Sequence, residues 1–108
     1  MRALVLLAAV CGTAACGGDT GPSGPNAVAV TNNQFTPPAL SVAVSETVTW
    51  EFRSGTHNVT FEDNVSNSSN LSSGTHARAF GSAGTYRYRC TLHSTDFTSG
   101  MVGTVTVQ

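Results

Sequence analysis

The chain has 108 residues, enough for one domain, and a formal net charge of −1 from five arginines, no lysine and six acidic residues. This balance leaves no basic stripe for a phosphate backbone, which argues against nucleic acid as a partner. It also argues against strong long-range electrostatic steering of any partner.

Residues 1–15 predict an export signal. Met1 and Arg2 give a short positive start, and the apolar run that follows, Ala3 to Val10, is too short to span a bilayer. The small residues before Cys16 look like a bacterial lipobox, which predicts cleavage before Cys16 and a lipid on that cysteine. An ordinary signal without a lipid is the alternative. The expected location is the cell envelope or periplasm, with the lipid holding the protein to a membrane.

The cysteines separate the signal from the folded part of the chain. Cys11 lies inside the signal and Cys16 at its end, so Cys90 is alone in the remainder. A disulfide framework is therefore excluded, and a lone thiol in an exported protein is either reactive or occupied. A bound metal accounts for this thiol best, because coordination keeps it deprotonated and out of disulfide exchange.

The mature chain divides into a tether and a domain. Residues 16–26 are rich in Gly, Pro and Ser without apolar periodicity, which predicts a flexible tether. In residues 27–108, short runs dense in Val, Thr, Phe and Trp alternate with polar turns, and no window has helical spacing. This pattern predicts one all-β domain with the architecture of a sandwich.

The sequence predicts different structures for two early segments of this domain. Asn32 to Pro38 is expected to be a loop with Phe35 turned inward, because its two prolines cannot donate to a ladder. Val48, Trp50 and Phe52 alternate with polar residues along one strand and are expected in the core.

His57 begins the next predicted strand and shares its parity with Val59 and Phe61. If those two residues point to the core, the imidazole lies at the inner rim of the sandwich. A buried histidine with one hydrogen bond is the alternative to a metal ligand. The C-x-x-H pattern elsewhere in this short chain favours the ligand, because His is the commonest metal ligand at neutral pH.

The polar segment from Glu62 to Gly74 predicts a long surface loop. His76, on the following strand, has no companion motif and is expected to face solvent. N-x-S/T matches are discounted as glycan sites because the lipobox indicates a bacterial source; they occur at Asn58, Asn64, Asn67 and Asn70.

The final stretch, Tyr86 to Val107, predicts a strand, a loop and a strand. It sets Cys90 and His93 three residues apart and places Met101 after the loop. These soft and borderline donors, with His57, would form a His₂Cys site with a weak axial Met that suits copper in electron transfer. Three alternatives stay open: zinc in the same donors, a metal-free sandwich, and Met101 as core filler.

These motifs together resemble the cupredoxins, in particular the plastocyanin-like small blue copper proteins. The matching residues are H-N-V-x-F at His57–Phe61, G-T-Y-x-Y-x-C at Gly84–Cys90, C-x-x-H at Cys90–His93 and G-M-x-G at Gly100–Gly103. The resemblance implies a single Greek-key β-sandwich with one type 1 copper ion. It implies His57 and His93 as imidazole ligands, Cys90 as thiolate and Met101 as the long axial ligand.

The resemblance extends to the neighbours of these residues, with two departures. Asn58 and Thr91, each next to a ligand, resemble the family's pair that ties the two ligand loops by a hydrogen bond. Leu92 stands where the family usually has a proline, and Ser94 to Gly100 lengthens the loop to the methionine. The surface around His93 is therefore expected to differ.

The expected function is that of a single-electron carrier, a monomer that meets redox protein partners transiently, because protein ligands leave no open coordination position. A copper-handling protein should show exposed Met or His clusters, and the chain has two Met, one of them the initiator. A non-redox metal-binding module is the other alternative. An enzyme is not expected, since copper oxidases and nitrite reductases with this domain need further copper sites.

Overall fold

The structure, a computed structural model, describes residues 21–108. The predicted signal, the lipidation at Cys16 and the first part of the tether lie outside the described residues. At the described end of the tether, the backbone N–H of Ser23 donates to the Glu51 carboxylate at 3.1 Å. This part of the tether therefore contacts the domain. Among residues 21–108 there is no helix long and apolar enough to cross a membrane.

Eight strands make up this part of the chain and form two four-stranded sheets. The strands are β1 (Ala27–Thr31), β2 (Gln34–Thr36), β3 (Ala39–Val42), β4 (Thr47–Phe52), β5 (Thr60–Phe61), β6 (Gly74–Ala79), β7 (Gly84–Arg89) and β8 (Val102–Val107). The sheet orders are β2-β1-β4-β6 and β3-β8-β7-β5. Because the chain repeatedly crosses from one sheet to the other, β1 lies parallel to β4 and β3 parallel to β8. The predicted all-β sandwich is confirmed.

Alternation along the strands places the core between the two sheets. Val48, Trp50 and Phe52 of β4 are buried, as predicted, while the residues between them face outward. Along β8, Gly103, Val105 and Val107 are buried in the same way. Period-2 patterning thus decides which side chains meet, since successive residues of a strand point to opposite faces.

Tyr88 fixes β7 to β8 and to the facing sheet. It is paired with Gly103 across the ladder, and a Cβ at position 103 would stand 2.3 Å from the ring carbon Cζ of Tyr88. Glycine is required there because the ring lies on the backbone. Trp50 meets Tyr88 edge to face with centroids 5.3 Å apart. Burial raises the pKa of Tyr88, and the Trp50 side chain opposes this in small part.

The prediction of a loop over Asn32–Pro38 is wrong in part. The segment contains β2, which pairs antiparallel with β1 and turns Phe35 into the core. Asn33 has a φ of 59°, a left-handed conformation that asparagine tolerates better than most residues and that a tight hairpin turn needs. The two prolines fall after β2, so they remove no donor from that strand.

The polar segment after β5, predicted to be a surface loop, forms hydrogen bonds with the backbone of residues 59–61. The Ser68 side chain accepts the Val59 N–H at 2.8 Å, and the Asn67 side chain accepts the Phe61 N–H at 2.8 Å. These short polar groups replace strand partners along the edge of β5. His76 was expected to face solvent, but it is half-buried and its Nε2 donates to the Ser66 carbonyl at 2.6 Å.

Arg78, on the edge strand β6, reaches across to the edge strand β5 of the facing sheet. Its guanidinium lies over the rings of Phe61, Phe80 and Tyr86, at 4.4, 4.7 and 5.1 Å from their centroids. The same group binds both carboxylate oxygens of Asp63, at 2.8 and 3.1 Å. Only 9% of the side chain is exposed, so the charge is held between aromatic faces and one carboxylate.

Candidate metal centre

Three donor atoms converge at one end of the sandwich. Nδ1 of His57 and Nδ1 of His93 are 3.2 Å apart. The Sγ of Cys90 lies 3.4 Å from Nδ1 of His93 and 3.8 Å from Nδ1 of His57. The structure thus brings the imidazole of His57 to a thiol 33 residues away in sequence, Cys90, and to an imidazole 36 residues away, His93.

These separations fit donors that share one ion. Metal–nitrogen bonds of about 2.0 Å and metal–sulfur bonds of about 2.3 Å place donors around one ion roughly 3.3–3.7 Å apart. The observed separations run from 3.2 to 3.8 Å. A thiolate with two imidazoles is a donor set that copper and zinc both accept.

His57 lies three residues before β5, the strand that it was predicted to begin. The strand β5 begins at Thr60, and His57 forms an isolated bridge with Leu71 through reciprocal backbone hydrogen bonds of 2.9 and 2.8 Å. The prediction from shared parity still holds, because the imidazole is buried, as are Val59 and Phe61. The backbone of His57 is therefore fixed by the polar segment after β5, which was predicted to be a surface loop.

The turn before His57 sets its tautomer. Its Nε2 lies 2.9 Å from the Ser54 carbonyl oxygen, which can only accept, so Nε2 carries the proton and Nδ1 keeps its lone pair for the site. Gly55 has a φ of 74°, and a Cβ there would stand 2.7 Å from that nitrogen. Burial lowers the pKa of His57, the Ser54 bond raises it and His93 lowers it further. The lowered pKa favours the neutral ring, the form that binds metals.

Backbone hydrogen bonds close the loop that carries the other donors. His93 N–H donates to the Cys90 carbonyl at 3.2 Å, and Met101 N–H donates to the His93 carbonyl at 3.3 Å. Cys90 N–H completes the circuit by donating to the Met101 carbonyl at 3.0 Å. Cys90 and Met101 are buried, whereas His93 is exposed. The backbone of Met101 is thereby held against both predicted ligands of the loop.

The lengthened part of this loop, residues 94–100, is ordered by contacts of its own. The guanidinium of Arg89 donates to the Ser94 carbonyl at 2.6 Å and lies 5.3 Å from the centroid of Phe97. The Asp96 carboxylate accepts the backbone N–H groups of two following residues, Thr98 at 2.8 Å and Ser99 at 3.0 Å. The sequence does not indicate this role of Arg89, because alternation along β7 says only that its side chain points away from the face of Tyr88.

The predicted hydrogen bond between Asn58 and Thr91 is present in both directions. Thr91 N–H donates to Oδ1 of Asn58 at 3.1 Å, and Nδ2 of Asn58 donates to Oγ1 of Thr91 at 2.9 Å. Asn58 also donates to Asn70 at 2.9 Å and accepts from Thr60 at 3.0 Å. Asn70 was considered only as a glycan acceptor, and no sequence pattern marks it as a partner of Asn58.

Comparison with known proteins gives consistent matches. The family model of copper binding proteins of the plastocyanin/azurin family matches residues 25–108. Plastocyanin of Scenedesmus fuscus is 36% identical over 87 residues, covering 68% of this chain and 86% of the relative. A reduced amicyanin variant superposes with a TM-score of 0.64 at 28% identity, over 84% of this chain and 85% of that one.

Oxidised plastocyanin from the fern Dryopteris crassirhizoma superposes with a TM-score of 0.66. The alignment covers 76% of this chain and 99% of the fern protein at 22% identity. At this identity the likeness concerns the fold alone. It agrees with the two-sheet arrangement described above.

Proposed function

The chain belongs to the plastocyanin/azurin family of copper-binding proteins, and from that membership we propose that it carries single electrons between redox partners through one type 1 copper ion. The observation that carries the proposal is the convergence of Cys90 Sγ with Nδ1 of His57 and of His93. When bound, copper supplies a one-electron couple between its cuprous and cupric states. The protein holds the donors in place for both states.

The proposed ligands are His57, Cys90 and His93, with Met101 as the axial thioether. Two sets of contacts support them: the Ser54 carbonyl orients His57, and the closed backbone circuit holds the other three. The hydrogen bonds between Asn58 and Thr91 join the segment of His57 to the loop of Cys90 and His93. Ligands fixed in this way change position little when the charge of the ion changes, which favours rapid electron transfer.

Electrons are proposed to enter and leave through His93. It is the exposed member of the three converging donors, while His57 and Cys90 are buried. Leu92, next to it, is 49% exposed and gives the surface beside His93 an apolar contact. A small contact of this kind suits the brief encounters of redox proteins.

The proposal includes export and a lipid anchor on Cys16. The lipobox-like residues before Cys16 and the Gly-rich segment after it support the anchor, and a lipid would keep a small carrier near membrane-bound partners. In a bacterial host the native chain should partition with membranes and Cys16→Ser should be released. Equal partitioning of the two proteins would reject the anchor.

The visible spectrum and metal content of the purified protein test the copper assignment. A cupric site with the Cys90 thiolate should be intensely blue, whereas zinc in the same donors should be colourless. Cys90→Ser should remove the colour, because it removes the one soft anionic ligand in the described fold. His76→Asn changes a histidine outside the site and should stay blue. A blue Cys90→Ser protein would contradict the assignment.

A further inference from the structure

We infer that Arg89 is a positioning residue of the metal centre: its guanidinium fixes the backbone next to His93, and its charge raises the redox potential of the ion that the donors hold. This inference rests on the proposed function, because it names a further residue through which that site is controlled. It follows from what the Arg89 side chain contacts and from the lack of a carboxylate paired with it among residues 21–108.

His93 is the least firmly held of the three converging donors. Cys90 and His57 are buried, whereas His93 is exposed. The backbone hydrogen bonds of His93, from its N–H to the Cys90 carbonyl and from Met101 N–H to its own carbonyl, are 3.2 and 3.3 Å long. Both lie at or just beyond the long end of the usual range for such bonds. Contacts on the residue that follows His93 therefore have a large share in fixing its position.

Ser94, the residue that follows, is held by two hydrogen bonds. Its carbonyl accepts from Nη1 of Arg89 at 2.6 Å, and its Oγ donates to the Cys90 carbonyl at 2.8 Å. Arg89 is fixed in turn, because it is paired with Thr60 of β5 on one side and with Val102 of β8 on the other. A strand inside the sheet thus reaches the backbone next to His93 through a guanidinium. Since the acceptor is a backbone carbonyl, this contact depends on Arg89 and not on the side chain at position 94.

Arg89 is also the one arginine within residues 21–108 that has no ion pair. The other three arginines form the pairs Arg53–Glu51, Arg78–Asp63 and Arg87–Glu62. Arg89 is half-buried, its Nε is enclosed without a hydrogen-bond partner, and its guanidinium lies 5.3 Å from the centroid of Phe97. The Asp96 carboxylate in the same loop is exposed and accepts from Thr98 and Ser99, so water and salt screen it. A positive charge without a paired carboxylate is therefore fixed beside the loop of Cys90 and His93.

This charge acts unequally on the two oxidation states of a bound ion. A fixed cation destabilises the more positively charged state. For copper in these donors that is the cupric state, so the guanidinium favours the cuprous state and raises the redox potential. Salt screens interactions of partly buried charges much less than those of exposed charges. The effect of Arg89 should therefore persist at high ionic strength.

Redox titration of the blue band in copper-loaded variants tests the role of the charge. Arg89→Met removes the guanidinium and should lower the redox potential, with a shift that persists at about 0.5 M salt. Arg89→Lys keeps the charge and should keep a potential closer to that of the native protein. Arg87→Met is the matched control, because Arg87 lies on the same face of β7 but is 40% exposed and paired with Glu62. At the same salt concentration it should shift the potential less than Arg89→Met does.

Amide hydrogen exchange of the metal-free protein tests the positioning without copper. The N–H groups of His93 and Met101 are hydrogen-bonded within the loop, and they should exchange about fivefold faster in Arg89→Met, the factor that corresponds to the loss of one hydrogen bond. Their rates are compared with those of the β4 amides, which report loss of the whole fold. In Arg87→Met the ratio of loop to β4 rates should equal that of the native protein.

The outcomes separate this inference from the proposed function. If the native protein does not become blue with copper, the proposed function fails, and hydrogen exchange of the metal-free protein still decides whether Arg89 positions the loop. If the native protein is blue, an unchanged potential or an unchanged exchange ratio in Arg89→Met overturns the inference and leaves the function standing. Equal shifts of potential in Arg89→Met and Arg87→Met would also overturn it, because net charge alone would then account for them. Should Arg89→Met not fold, Arg89→Gln removes the same charge and is held to the same results.

Discussion

Replacing Asn58 by alanine should remove the hydrogen bonds that connect the segment of His57 with the loop of Cys90 and His93. The Asn58 side chain is 4% exposed and forms four hydrogen bonds, two with Thr91 and one each with Thr60 and Asn70. A buried hydrogen bond contributes about 0.5–1.5 kcal/mol net, and more when its loss leaves a buried partner unsatisfied. Thr91 and Asn70 are exposed, so water can replace part of what they lose.

The expected cost is therefore about 2–4 kcal/mol in the free energy of unfolding. For a domain of this size that lowers the midpoint of thermal unfolding by about 10–25 °C. Urea unfolding of the metal-free protein measures the cost, because bound copper would add its own stabilisation. Since Asn58 adjoins His57 and Thr91 adjoins Cys90, the copper-loaded variant should also show a shifted or weakened blue band.

Asn70→Ala is the matched control, because it removes one of the same four bonds and leaves Thr91 joined to Asn58. It should cost about 0.5–1.5 kcal/mol and leave the spectrum unchanged. The connecting role of Asn58 is refuted if Asn58→Ala is no less stable than Asn70→Ala. It is also refuted if the stability falls as expected while the copper spectrum of Asn58→Ala remains that of the native protein.

Two further predictions concern the axial position and acid stability. Met101→Leu should keep copper and colour while raising the redox potential, since a thioether that helps stabilise the cupric state is gone. The free energy of unfolding of the metal-free protein should change by less than about 1.5 kcal/mol. A colourless variant or an unchanged potential would contradict the axial role. The hydrogen bonds from Arg78 hold the pKa of Asp63 below its ordinary value, so this pair stabilises the fold above the unfolded pKa and the contribution is lost as pH falls through the folded one. The stability advantage of native protein over Asp63→Asn should thus shrink between about pH 5 and pH 2; an advantage that is constant over this range would show that Arg78 does not act through the ionised carboxylate.

The donors that were easiest to predict are those fixed by local geometry. Cys90 and His93 are three residues apart just after a strand, and one turn of backbone brings both to the same point. His57 required a second argument, from its shared parity with Val59 and Phe61, and that argument predicted its burial. Alternation likewise predicted the core positions of β4, because burial of one face is the dominant constraint on a strand.

Other features depend on contacts that no local pattern encodes. A run of Ser and Asn has the same composition whether it is solvated or, like Ser68 and Asn67, bonded to the edge of β5. Strand parity sends an arginine away from the core, but it does not say whether the guanidinium reaches solvent or, as for Arg89, covers the ring of Phe97. β2 was not predicted for a different reason: two prolines follow it directly and favour a loop, whereas the hairpin depends on the left-handed φ of Asn33.

The hydrogen bond from Met101 N–H to the His93 carbonyl makes residues 94–100 an excursion that leaves and rejoins the chain at one point. Length and sequence there can vary without changing the spacing of the donors, provided that the residue at position 100 tolerates the left-handed φ of 83° seen for Gly100. Natural variation or loop grafting could thus alter the surface shown to other proteins while leaving the metal's immediate surroundings intact. The redox potential, set by the ligands, and the surface that other proteins contact, set by residues 94–100, could then be changed independently of each other.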